Sequence, residues 1–99
     1  MERGLFDFSA NGTYTLIPMK GGSGNIRSVT LTNYDTIVPC NVDLYLEDKS
    51  SSKAYITKSL QIPRSSTVRI IDYVGFDNDV LGLKLVLTST SPKLTVIIK

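Results

Sequence analysis

Apolar and polar residues alternate with a period of two along most of the chain. The clearest case is Cys40–Glu47, where every second residue from Cys40 to Leu46 is apolar and the residues between them are polar or aromatic. That pattern predicts a strand with one buried and one solvated face. Similar short runs predict strands at Thr13–Pro18, Arg27–Asn33, Cys40–Glu47, Ala54–Thr57, Leu60–Pro63, Val68–Tyr73, Leu81–Thr88 and Leu94–Ile98.

The number and spacing of these runs predict the fold class. Seven or eight strands are separated by turn residues every eight to twelve positions, and no convincing helix or internal repeat is present. We therefore expect an all-β fold, a single antiparallel β-sandwich of the Ig-like or jelly-roll type, with a small barrel as the alternative. Residues 1–99 form one domain, in which 1–11 are a candidate N-terminal arm.

The segment "SLQIPRSSTVRI" raises the question of whether Arg64-Ser65-Ser66 is an anion site or only a corner between strands. Pro63 has no amide proton and marks a strand end, and serines close turns by bonding nearby backbone groups. An anion nest usually contains glycines or a helix N-terminus, which are missing here. We interpret the segment as a corner that displays Arg64 outward.

The composition argues against some classes of binding partner but does not identify one. The 99 residues are 41% hydrophobic and carry a net charge of +2, with basic residues scattered along the strands. This charge is too weak and dispersed to predict nucleic-acid binding. No stretch approaches the ~20 apolar residues of a membrane span. The single cysteine, Cys40, excludes an intramolecular disulfide and suits a reducing compartment.

The residues for catalysis are largely missing. No histidine is present, which removes the common serine and cysteine triads and most transition-metal sites. The acidic loop Asp77–Asp79 lacks the glycine and distal glutamate of a calcium loop, and no phosphate-binding motif occurs. We expect no catalytic residues, no metal, no cofactor and no small-molecule ligand; a small hydrolase with paired carboxylates ranks last.

Apolar residues at both termini suggest binding between proteins instead. Leu5, Phe6 and Phe8 precede the first clear strand, and they either close over their own domain or dock on a neighbouring copy. In the last strand both Ile97 and Ile98 are apolar, so Ile97 faces outward if Ile98 packs in the core. Together with Arg64, these side chains are the candidate interface residues.

The stretch from Ile26 to Ile98 resembles the small β-sandwich structural proteins of tailed bacteriophages. The resemblance lies in the order of "IRSVTLTNYDTIVPCNVDLYLED", "AYITKSLQIPRSSTVRIID" and "LGLKLVLTSTSPKLTVIIK". It covers about three-quarters of the chain. Phage proteins often have a glycine after the Ile-Pro corner, where this chain has Arg64-Ser65-Ser66.

The resemblance implies a virion component: a capsid decoration or cement protein, or a small neck or tail protein. Such proteins bind other virion proteins, usually as homo-oligomers, in particles assembled in the host cytoplasm. The alternative is a carbohydrate- or host-surface-binding module that uses tyrosines and the loops Gly21–Asn25 and Phe76–Asp79.

Overall fold

The structure, a computed structural model, describes residues 4–21, 24–70 and 74–99. Within these ranges the chain is all β, and no helix is long and apolar enough to cross a membrane. Residues 1–3 of the candidate arm, 22–23 of the glycine-rich loop and 71–73 of a predicted strand lie outside the described part. The strands are β1 (Gly4–Phe8), β2 (Gly12–Ile17), β3 (Asn25–Ile26), β4 (Val29–Asn33), β5 (Cys40–Glu47), β6 (Lys53–Ile62), β7 (Ser66–Ile70), β8 (Val74–Gly75), β9 (Gly82–Thr88) and β10 (Leu94–Ile98).

The all-β prediction is confirmed, but ten described strands replace the seven or eight expected. Strand β1 lies inside the candidate arm, and β3 and β8 have two residues each, too few to alternate visibly. The predicted strands Ala54–Thr57 and Leu60–Pro63 are one continuous strand, β6.

Strand β6 contains a β-bulge at Ser59. Ser59 has a left-handed φ of 55°, and the pairing register with β5 shifts between Val42 and Leu44. The Ser59 amide donates a hydrogen bond of 2.7 Å to Oδ1 of Asp43 on the neighbouring strand. Since a bulged residue leaves the regular ladder, this carboxylate supplies the acceptor that the ladder does not.

The strands pair in a nested order. β1 pairs with β10, β2 with β9, β3 with β8, β4 with β7 and β5 with β6, all antiparallel. The chain is therefore one long two-stranded ribbon whose tip is the loop between β5 and β6. In that loop Oδ1 of Asp48 accepts hydrogen bonds from the Ser50 and Ser52 amides, which closes the turn.

The ribbon is wrapped so that its strands acquire second neighbours. β10 also pairs with β4, and β5 also pairs with β9. The result is sheet 1, in the order β1-β10-β4-β7, and sheet 2, in the order β2-β9-β5-β6. In the described part each sheet is open with two edge strands, unlike the closed barrel that was the alternative prediction.

One hydrophobic core serves both sheets. Leu31 and Val96 of sheet 1 belong to the same buried cluster as Val42 and Leu85 of sheet 2, and all four are 0% exposed. The sheets thus face each other across a shared core, which is the two-layer arrangement of the predicted sandwich. Cys40 is buried in this core and behaves there as a small apolar side chain.

Candidate docking surface

The outward side of sheet 1 is a surface rich in threonine. Inward residues of its strands pack on the core, so the residues between them point outward. Cross-strand register arranges the outward residues in two rows. The threonine face consists of one row, Leu5, Ile97, Thr30 and Arg69, and a second row, Asp7, Thr95, Thr32 and Thr67.

The apolar part of the threonine face is the pair that joins the two ends of the chain. Leu5 on β1 and Ile97 on β10 are direct cross-strand partners, and Leu5 is 65% exposed. Such pairs place their side chains about 5 Å apart. Two of the candidate interface residues are therefore brought together, on one surface and in contact range.

Charges on the threonine face are confined to its two edges. Asp7 lies on edge strand β1 and Arg69 on the opposite edge strand β7, whereas the positions on β10 and β4 are threonines and Ile97. Tyr34, in the loop after β4, donates a 2.8 Å hydrogen bond to Oδ1 of Asp7. That bond raises the pKa of Tyr34 because the neighbouring carboxylate disfavours loss of the phenolic proton.

The outward side of sheet 2 is a different kind of surface. Lys84 forms an ion pair of 2.6 Å with Glu47, which raises the pKa of Lys84. Tyr45 is only 2% exposed, since Tyr55 lies against it and the Lys53 ammonium is 5.0 Å from its ring centre. Paired charges and covered aromatic rings are typical of a solvated face. We therefore regard the threonine face as the better docking candidate.

The remaining candidate interface residues are placed elsewhere. Phe6 and Phe8 point inward, and Phe8 stacks on Tyr14 with ring centres 3.9 Å apart. They close over their own domain, which is one of the two expected arrangements. Arg64 sits in the turn between β6 and β7 and donates a 3.2 Å hydrogen bond to the Thr36 carbonyl.

The Arg64 segment is a corner, as the sequence predicted. Pro63 follows the last residue of β6, and Ser66 begins β7. The Ser66 hydroxyl donates to the Arg64 carbonyl at 3.0 Å, and the Ser65 amide donates to the Asp35 carbonyl at 2.9 Å. The first bond closes the corner, and the second ties it to the loop between β4 and β5.

The described residues contain no group of three or more Cys, Asp or Glu side chains that could hold a metal. Burial raises the pKa of the Cys40 thiol, which disfavours the reactive thiolate. In the acidic loop, Oδ1 of Asp77 accepts a hydrogen bond from the Asp79 amide. The Asn78 side chain donates to the Pro18 and Leu81 carbonyls, so the polar groups of this loop hold the local backbone in place.

A concave surface lies among loops that connect the strands. The Phe76 amide donates to the Gly24 carbonyl at 2.9 Å, so the two loops of the alternative prediction are neighbours. A Cβ on Gly24 would lie 1.8 Å from the Phe76 carbonyl oxygen, so only glycine fits there. Beside these loops is a cavity of about 600 Å³. Its lining residues are Met19, Lys20, Asp48, Lys49, Ser50, Asp79 and Val80.

Sequence reasoning marked single positions of the threonine face but missed the surface that they form. The alternation of apolar and polar residues in Arg27–Asn33 predicts that Thr30 and Thr32 point outward. The alternation in Leu94–Ile98 predicts the same for Thr95. Nothing in the sequence places β7 beside β4, because the partners lie in distant segments. Asp7 and Arg69 could therefore not be assigned to one surface before the sheet order was known.

The chain matches no protein-family model and no curated protein. Among solved structures it is similar to the VP2 subviral particle of infectious bursal disease virus, with 9% identity and a TM-score of 0.46, over 97% of this chain and 30% of that one. The Gt strain of the same virus gives 7% identity and a TM-score of 0.49, over 100% and 29%. A sensory rhodopsin transducer from Anabaena gives 13% identity and a TM-score of 0.45, over 100% and 96%.

This chain spans less than a third of the length of the two viral chains. At these identities and scores the similarities assign neither a family nor a function. None of the three is described as a bacteriophage protein, so the tailed-phage resemblance remains a prediction.

Proposed function

We propose that the chain is a non-enzymatic structural protein of a bacteriophage virion, which forms homo-oligomers and binds the capsid or tail lattice. It would serve as a decoration or cement protein or as a neck or tail component. The observation that carries the proposal is the threonine face, an outward surface with few charges and an exposed Leu5. The mechanism is burial of this face between copies of the chain, with edge strands left to pair with proteins of the lattice.

The strand order supports a jelly-roll type of sandwich. With the two-residue strands β3 and β8 set aside, eight strands form a nested ribbon wrapped into two four-stranded sheets. Consecutive strands alternate between the sheets except at the β5–β6 hairpin. An Ig-like domain instead keeps several consecutive strands in one sheet. Viral capsid domains and lectins both use jelly rolls, so this support for the function is an analogy of fold.

The non-enzymatic part of the proposal rests on the chemistry available. The lone thiol is buried with a raised pKa, and histidine is missing from the sequence. The acidic side chains Asp35, Asp48 and Asp77 accept hydrogen bonds from nearby backbone amides, which is a structural role. A binding protein needs none of these groups to react.

The direct test is to purify virions of the phage whose genome encodes the chain and to quantify it by mass spectrometry. We expect a fixed number of copies for each particle. Leu5→Ser should lower the amount bound to particles severalfold while leaving the domain folded, since Leu5 is already exposed. Val86→Ser, on the outward side of sheet 2, is the matched control. Absence of the chain from purified particles would overturn the proposal.

The loop cavity favours a second candidate, a carbohydrate-binding module. Its volume of about 600 Å³ is in the range of ligand pockets. No tyrosine is among the described residues that line it, which weakens the stacking expected for sugars. A glycan array decides between the two: glycan binding lost on Val80→Asp, with no chain in virions, would favour this candidate.

A further inference from the structure

We infer that the threonine face binds the same face of a second copy of this chain, in a two-fold dimer held by reciprocal Asp7–Arg69 ion pairs. This inference deepens the proposed function, on which its role in a virion rests. The dimer itself can be tested with the isolated protein. The chemistry that identifies the partner is the charge pattern of the face.

A surface that binds itself about a two-fold axis must be complementary to its own rotated copy. The threonine face meets this condition because its acid and its base lie on opposite edges, Asp7 on β1 and Arg69 on β7. Two faces can pack only if the axis lies in the plane between them. If that axis runs along the strands, β1 of each copy covers β7 of the other.

Two Asp7–Arg69 pairs then form, one at each edge. Asp7 and Arg69 lie in neighbouring rows of the face, since the row of Asp7 ends at Thr67 on β7. Residues two positions apart along a strand are roughly 7 Å apart and packed sheets lie roughly 10 Å apart, so an extended arginine side chain can reach the aspartate carboxylate across the interface. If the axis runs across the strands, β1 covers β1 and the opposite charges stay at different edges. The charges therefore select the axis along the strands.

The centre of the face suits such an interface. The outward positions on β10 and β4 carry no charge, and charged residues are depleted at the centre of protein interfaces. Aligned sheets also pack well when their strands run nearly parallel, as this axis requires. The outward side of sheet 2, with its Lys84–Glu47 pair within one copy, has no comparable self-complementary pattern.

The expected affinity is modest. A face of four short strands offers less than the roughly 800 Å² for each partner that standard interfaces bury. We expect dimers at high protein concentration, and stronger association when many copies are held on one lattice. Since the pairs lie at the rim, rising salt should weaken the dimer.

Charge reversal tests the geometry. Sedimentation equilibrium of the wild-type chain should show a monomer–dimer equilibrium. D7R and R69D should each weaken dimerisation by at least about tenfold, because each places like charges opposite each other. The double variant D7R/R69D should restore it. A monomeric wild type at millimolar concentration, or a double variant as weak as the single ones, would overturn the inference.

Crosslinking provides an independent readout. Cys40 is buried, so the native chain offers no accessible thiol. Thr95→Cys lies on β10 near the proposed axis, and a bifunctional thiol reagent that spans the roughly 10 Å between packed sheets should link two copies. Thr88→Cys, exposed on sheet 2, should not be linked. Equal crosslinking of both variants contradicts the dimer. A monomer that is still found in virions overturns this inference and the homo-oligomer part of the proposed function, and leaves the proposed role in the virion standing.

Discussion

At the residue scale, buried polar groups in this domain hold loops rather than perform reactions. Asn33 is 1% exposed, and its side chain donates to the Val38 and Ile62 carbonyls. Its carbonyl oxygen accepts from the Asp35 amide. Asn78, 6% exposed, similarly joins two loops through the Pro18 carbonyl. These side chains satisfy backbone groups that the strands leave unpaired.

Asp35 is a buried carboxylate whose hydrogen bonds favour its ionised form. Its Oδ1 accepts hydrogen bonds from the Ile37 and Val38 amides. The Ser91 side chain, these amides and the nearby Lys93 ammonium hold the pKa of Asp35 below its ordinary value of 3.8. Because the folded state prefers the ionised form, the unfolded chain takes up its proton first as pH falls.

Asp35 should therefore make stability depend on pH in the acid range. Its contribution is fully present above pH 3.8 and is lost as pH falls through the lower folded pKa. We expect Asp35→Asn to lower the melting temperature at neutral pH and to flatten its fall below pH 4. Thermal unfolding followed by circular dichroism from pH 2 to 7 measures this. Asp79→Asn, in an exposed loop, is the control for the change in charge; an unchanged acid slope in Asp35→Asn would contradict the prediction.

At the element scale, period-two patterns predicted strands well wherever one face is buried. Leu81–Thr88 and Leu94–Ile98 were found almost residue for residue as β9 and β10. The bulge at Ser59 was missed, because a left-handed serine supported by Asp43 has no signature in a run of polar residues. Strand β1 was interpreted as part of an arm. Phe6 and Phe8 pack on a core formed by the rest of the chain, and that contact is not visible in the local sequence.

The alternation in β9 can be tested with two neighbouring residues. Leu85 is 0% exposed in the core, whereas Val86 points outward from sheet 2. Leu85→Ala should lower the free energy of unfolding by about 2–5 kcal/mol through lost burial and the cavity that remains. Val86→Ala should lower it by less than about 1 kcal/mol. Urea unfolding of both variants measures the difference; equal losses would mean that β9 does not present these faces.

At the scale of the whole molecule, the nested ribbon explains why the sequence could predict strands but not their neighbours. The hairpin β5–β6 joins nearby segments, and its polar loop is visible in the sequence. The pair β1–β10 joins the two ends of the chain, as in Leu5 and Ile97. The threonine face exists only after this last pair has closed, so no local pattern could reveal it.

The same topology predicts the order of folding. Loop-closure entropy is small for the β5–β6 hairpin and largest for the pairing that brings the chain ends together. Domains dominated by distant pairings fold in milliseconds to seconds. We therefore expect β5 to be ordered in the transition state and β10 to join afterwards. Val42 in β5 and Val96 in β10, both 0% exposed, are matched probes.

Val42→Ala and Val96→Ala should each lower the free energy of unfolding by about 2 kcal/mol. Val42→Ala should act mainly by slowing folding, and Val96→Ala mainly by speeding unfolding. Stopped-flow refolding and unfolding can be followed by tyrosine fluorescence, since the chain has five tyrosines and no tryptophan. If Val96→Ala slows folding as much as Val42→Ala does, the chain ends already meet in the transition state. Folding would then begin from the closed ribbon rather than from its tip.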